Sequence, residues 1–150
     1  IEAIQFTMSH DDGKRTEDLS NSDVVLLGVS RTSKTPTSIY LANRGYKTTN
    51  IPLVPNQDIP ADLKSKDFKS CVIGLFADPS RLSDIRRNRV VLMQESRSTN
   101  YTDISSIKKE VEDSKNLFKK YNWPTIDVTR KSVEETAASI IKIIEIKKNK

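Results

Sequence analysis

The sequence predicts an α/β protein built on a mostly parallel sheet with helices on both faces. Three observations predict it. Short β-branched apolar runs alternate along the chain with longer stretches of helical periodicity. The first of these runs, Val24-Val-Leu-Leu27, is apolar throughout instead of alternating in and out, as in a strand buried on both sides. Capping and breaking residues, among them Gly45, Asp78-Pro79, Trp123-Pro124 and Ser132-Val-Glu-Glu135, punctuate the boundaries.

The first strand is placed at residues 23–28, within Asp23-Val-Val-Leu-Leu-Gly28. A polar stretch follows, then a helix in which Pro36 sits in the first turn, Ile39, Leu41 and Ala42 continue, and Gly45 ends the run. Residues 48–54 read as a second strand and residues 55–69 as a polar connection carrying Pro55 and Pro60. Cys71-Val-Ile-Gly-Leu-Phe76 is the third strand, and Asp78-Pro79 opens a helix with Asp as N-cap and Pro at the first helical position. Ile104, Ile107, Val111, Leu117, Phe118 and Tyr121 recur at helical spacing over residues 103–121. Residues 125–129 give a fourth strand, and the capping box at Ser132 starts a last helix with Val133, Ala137, Ile140 and Ile144 inward. The lysines of residues 147–150 are expected to fray.

Composition excludes several classes of function. The formal charge is +5, with 35% hydrophobic and 30% charged residues, the balance of one ordinary domain with room for a single core. No apolar run approaches the roughly 18 residues that span a bilayer. The opening residues carry His10, Asp11 and Asp12 where a secretory signal needs an apolar segment. One cysteine, Cys71, and one histidine exclude an intrachain disulfide framework and a Cys/His zinc site, and fit a reducing cytoplasm. The first residue is not Met, which suggests a piece of a longer chain.

In parallel sheets ligands bind beyond the carboxyl ends of the strands, so the loop after Gly28 is the first candidate site. Gly28-Val-Ser-Arg-Thr-Ser-Lys34-Thr35 matches the phosphate-loop spacing G-x-x-x-x-G-K-[ST], except that Ser33 replaces the second glycine. Successive backbone N–H groups of such a loop turn around phosphate oxygens, and the following helix aims its N-terminus at them. Lys34 would then place a charge on the terminal phosphate and the Thr35 hydroxyl would ligate Mg²⁺. The alternative is a polar turn with an exposed lysine. Asp78, after the third strand, is either the Mg²⁺-ordering acid of a phosphate-loop enzyme or only the helix N-cap. Cys71 reads as packing, and Tyr121 and Trp123 as core closure at a helix end, not a base-stacking platform.

Gly28-Val-Ser-Arg-Thr-Ser-Lys-Thr-Pro-Thr-Ser-Ile-Tyr-Leu-Ala42, with His10-Asp-Asp-Gly13, Asp78-Pro-Ser-Arg-Leu82, Ile85-Arg-Arg-Asn-Arg89 and Ser132-Val-Glu-Glu-Thr136, resembles the kinase/phosphorylase regulatory proteins. These act on pyruvate, phosphate dikinase and on phosphoenolpyruvate synthetase, and the similarity covers essentially all 150 residues. The connection over residues 43–55 resembles the dikinase branch more than the synthetase branch. The resemblance implies a phosphate-loop kinase-like fold, with residues 1–150 as a nucleotide-binding kinase/phosphorylase domain. This would be the C-terminal part of a longer protein whose N-terminal region is absent.

Two reactions are implied at one site. ADP donates its β-phosphate to a threonine of the dikinase in its phosphohistidine form, and inorganic phosphate later removes it as pyrophosphate. Gly28, Val29, Ser30, Arg31, Thr32, Ser33, Lys34 and Thr35 would form the ADP loop, with Lys34 also catalytic. Ser33 is then a family variation at the glycine position. His10, Asp11 and Asp12 are candidates for the base that accepts the threonine proton, although composition alone would make them a surface turn. Arg86, Arg87 and Arg89, with Arg81, are candidate phosphate or partner contacts. These four arginines do not share one helix face, so at least one is ordinary surface. Mg²⁺ would be held through Thr35 and Asp78.

The competing readings are a synthetase regulator with the same chemistry, a small-molecule phosphate-loop kinase using ATP, a nucleic-acid-binding module, and a fragment that binds ADP without turnover. No recognisable nucleic-acid motif and 6% aromatics speak against nucleic acid. The expected partner is the dikinase, with no membrane and a homodimer left open.

Overall fold

The computed structural model describes residues 2–9, 22–29, 32–53, 59, 63, 70–93 and 104–148. Strands β1 (Val24–Gly28), β2 (Thr48–Pro52), β3 (Cys71–Phe76) and β4 (Thr125–Asp127) form one sheet in the order β2-β1-β3-β4. Every pairing is parallel, with Val24 opposite both Thr48 and Cys71, and Gly74 opposite Thr125. The strand β1 is buried along its whole length, which explains why its sequence is a continuous apolar run.

Alternate residues of that run serve opposite faces. Val24 and Leu26, with Cys71, Ile73, Leu75 and Ile126, pack under Leu41 of helix α2 (Lys34–Asn43) and Ala137, Ile140 and Ile144 of helix α5 (Val133–Lys148). Val25, Leu27, Ile51 and Val72 face the other way, toward Phe118 of helix α4 (Ile104–Lys120). A methyl group at Gly74 would overlap the Phe118 ring, so this glycine lets helix and sheet approach. A third cluster, Val29, Ala77, Leu82, Ile107 and Val111, joins the carboxyl ends of β1 and β3 to α4 and helix α3 (Pro79–Met93).

Because α2 and α4 cover opposite faces while β2 and β3 flank β1 on opposite sides, strand order reverses at β1. The switch point therefore lies at the carboxyl ends of β1 and β3.

Most boundaries match the sequence within two residues. Gly45 adopts φ 91° after α2, and the N–H of Tyr46 returns to the carbonyl of Leu41 at 3.0 Å, closing the helix. The capping box is reciprocal, with Glu135 N–H donating to Ser132 Oγ at 3.1 Å and Ser132 N–H to Glu135 Oε1 at 3.3 Å. Four findings differ. Helix α1 (Glu2–Ser9) has no counterpart in the sequence reading; its Thr7 hydroxyl accepts the N–H of Thr48 at 3.1 Å and so covers the edge of β2. The strands β2 and β4 stop at Pro52 and Asp127. The polar connection contributes Ile59 and Leu63 to the core beside Phe118. Lys147, expected to fray, lies within α5 and donates to the carbonyl of Ser70 at 3.0 Å.

Candidate functional site

Gly28 ends β1 in a tight space. A methyl group there would lie 2.7 Å from Thr32 Oγ1 and 2.8 Å from the carbonyl oxygen of Leu75, so the loop folds back over the strand end only with glycine beneath it. The carbonyl of the next residue, Val29, accepts two hydrogen bonds at 2.9 Å, one from the Thr32 hydroxyl and one from Lys34 Nζ. Lys34 is 6% exposed, with Nζ also 3.5 Å from Thr32 Oγ1. The ammonium is thus held within the loop, not extended into solvent.

Ser33 has φ 62° and ψ 29°, the left-handed conformation, and α2 begins at the next residue. This is the position where the phosphate-loop pattern carries glycine, and the backbone shows why: an L-residue here is strained by roughly 1 kcal/mol. The N–H of Thr37 bonds to the Ser33 carbonyl at 3.1 Å, and Ser33 makes no side-chain cap. The first-turn N–H groups of a helix point back along its axis, which here is toward the loop. Half-buried Thr35 is steadied from behind: Ser38 Oγ donates to its carbonyl at 2.8 Å, and Asn50 Nδ2 of β2 donates to Ser38 Oγ at 3.3 Å.

Across the switch point, Asp78 is exposed and caps α3, with Oδ2 accepting the N–H of Arg81 at 3.2 Å. The N-cap reading therefore holds, and the cap leaves the acid at the carboxyl end of β3, next to the strand that carries the loop. Among the described residues no group of three or more His, Cys, Asp or Glu could hold a metal ion. An ion brought by a nucleotide would need only one or two protein oxygens, of the kind that the Thr35 hydroxyl and the Asp78 carboxylate carry.

The arginines divide. Arg86 is 1% exposed and grips Glu110 of α4 through Nη1 at 2.9 Å and Nη2 at 3.3 Å, so its fork joins two helices. Arg81 and Arg87 are exposed on α3, as the spacing argument required of some of the four. The side chain of Arg89, together with His10, Asp11, Asp12, Ser30 and Arg31, lies outside the described residues. Cys71 is buried, and burial raises its thiol although Lys147 opposes the shift. Tyr121 and Trp123 stack at 4.8 Å against the Phe118 cluster, closing the core.

The sequence reading missed Asp127 and Thr129, which meet Asp78 at this edge. The Asp78 N–H donates to Thr129 Oγ1 at 2.8 Å, and both the amide and hydroxyl of Thr129 donate to Asp127 Oδ1. Burial pushes the Asp127 carboxyl up, but the two Thr129 bonds and the charges of Lys115 and Lys131 outweigh it and hold the group below its ordinary value. The Asp-x-Thr spacing was the available signal, since a carboxylate two residues before a hydroxyl commonly bonds its own turn.

An open, all-parallel sheet with helices on both faces defines a doubly wound α/β protein, in which the left-handed Ser33 and then Lys34 lead from the switch-point strand into its helix. The chain belongs to the kinase/pyrophosphorylase family, which matches residues 1–141. Its relatives include proteins of Pelagibacter ubique, 66% identical over 99% of this chain, and Maricaulis maris, 50% identical over 99%. A protein of Caulobacter vibrioides is 46% identical over 96% of it. Their names describe them, provisionally, as pyruvate, phosphate dikinase regulatory proteins. The chain covers 54%, 53% and 45% of their respective lengths, about half of each.

Proposed function

We propose that this chain carries the nucleotide site of a regulator that phosphorylates a threonine of pyruvate, phosphate dikinase from ADP and removes that phosphate by phosphorolysis. The observation that supports it best is the pairing of Lys34 with a left-handed Ser33 at the mouth of β1. In the forward step the threonine Oγ bonds to the β-phosphorus of ADP, the bridging P–O bond breaks and AMP leaves. The hydroxyl proton goes to a base, for which His10, Asp11 and Asp12 are the candidates. In the reverse step an oxygen of inorganic phosphate attacks the phosphothreonine, the P–Oγ bond breaks, pyrophosphate forms and the threonine oxygen regains a proton. Either way the group exchanged against threonine is a phosphate oxygen, so one anion cradle at residues 28–35 serves both directions by positioning and charge. Lys34 would leave the Val29 carbonyl for the transferring phosphate, and Thr35 and Asp78 would hold Mg²⁺, which would supply charge neutralisation.

The test is incubation of the full-length protein with β-labelled ADP and phosphohistidine-loaded dikinase, followed by mapping of the label. Label on a dikinase threonine supports the proposal. In parallel incubations, transfer from labelled ATP to a free metabolite points instead to a small-molecule kinase, and label on added phosphoenolpyruvate synthetase but not on the dikinase points to the other branch.

A further inference from the structure

At the carboxyl edge of β3 and β4, three groups outside the phosphate loop are joined in series. The Asp78 amide donates to Thr129 Oγ1 at 2.8 Å, the Thr129 hydroxyl donates to Asp127 Oδ1 at 2.5 Å, and the Thr129 amide donates to the same oxygen at 3.0 Å. One hydroxyl both accepts and donates, and the carboxylate fixes its direction, since an ionised Asp can only accept. Beside them the N–H of Val128 bonds to the Phe76 carbonyl at 2.8 Å, so the backbones after β3 and β4 are fastened at two points.

This clamp is continuous with the loop. Ala77, one residue before Asp78, is 3% exposed and shares a cluster with Val29, while Val128, one residue before Thr129, packs against the same cluster. Val29 is the residue whose carbonyl holds Lys34 and Thr32. Asp78 is therefore pinned through its amide, and Val29 belongs to the cluster that the neighbours of the clamp residues help to build.

We infer that Thr129 and Asp127 are positioning residues for phosphoryl transfer, acting through Asp78 and through the Val29 support of Lys34. The inference rests on the proposed function. Neither residue belongs to the phosphate-loop motif. Their effect falls on the rate of the chemical step more than on nucleotide affinity, because small displacements of groups around a reacting phosphate cost rate steeply.

The experiment compares Thr129→Val, Thr129→Ser and Asp127→Ala in the full-length protein, measuring kcat and KM for ADP in dikinase phosphorylation, thermal midpoint and amide exchange at Asp78. Thr129→Val is expected to lower kcat on the order of tenfold or more with KM changed less than about threefold, and to speed Asp78 exchange. Thr129→Ser, which keeps the hydroxyl, recovers most of both. Asp127→Ala gives the same kcat loss and serves as the test if Thr129→Val unfolds. Wild-type kcat in Thr129→Val, or in Asp127→Ala where that variant decides, or a loss that serine does not recover, overturns this inference alone. Absence of ADP-dependent transfer in the wild type overturns the proposed function, and this role with it.

Discussion

Lys34 Nζ donates to the carbonyl of Val29 at 2.9 Å, which ties the first residue of α2 to the residue that follows β1. Between them Ser33, at φ 62°, makes the final turn into the helix. The lysine is consequently positioned by the protein's own backbone. A ligand that takes this ammonium must offer more than one carbonyl oxygen does, which a doubly charged phosphate can.

Ser33→Gly is expected to leave stability within about 1 kcal/mol of wild type and to preserve ADP binding, because glycine adopts this conformation without strain. Ser33→Val is expected to lose roughly 1 to 2 kcal/mol and to weaken ADP binding, since a β-branched residue at positive φ is a true outlier. Urea unfolding and calorimetric titration with ADP check both.

The packing of Phe118 on Gly74 predicts a compensating pair. Gly74→Ala is expected to cost about 1 to 3 kcal/mol by overpacking. Combining it with Phe118→Leu should give less than the sum of the two single losses, because a smaller side chain admits the new methyl. A double-mutant cycle in urea measures the difference.

Breaking the Arg86–Glu110 pair should be severe. Arg86 is 1% and Glu110 14% exposed, so Arg86→Ala strands a largely buried carboxylate and is expected to cost about 3 to 5 kcal/mol. Arg86→Met together with Glu110→Leu should recover much of it, as read from urea midpoints.

Asp127 gives a pH signature. Its folded carboxyl lies below the ordinary 3.8, so its contribution is fully present above that value and is lost as pH falls through the folded value. Wild type should exceed Asp127→Asn in urea midpoint at about pH 6, and the gap should narrow in acid below about 3.8. A constant gap across that window would contradict the assignment of the charge to this turn.

The central strands and amphipathic helices were legible because their signals are local: β1 is apolar on both faces, and Ile107, Val111 and Phe118 recur on one side of α4. The reciprocal cap at Ser132 and the stop at Gly45 are likewise written in a few adjacent residues. What escaped depends on distant partners. The short helix α1 earns its place through Thr7 and the edge of β2, 41 residues away. Ile59 and Leu63 look like loop until Phe118 is set against them. Arg86 resembles its exposed neighbour Arg87 in sequence, and only the approach of Glu110 separates them. At the site, the motif supplied Lys34 and the position of Ser33, whereas Thr129 and Asp127 come from another strand end and carry no phosphate-loop pattern.

The most direct measurement is Lys34→Ala in the full-length protein, assayed in both directions: threonine phosphorylation from ADP, and phosphate-dependent release of pyrophosphate from the phosphothreonine form. One anion cradle at residues 28–35 predicts that both activities are lost together while the thermal midpoint shows a folded protein. Wild-type activity in either direction would contradict it.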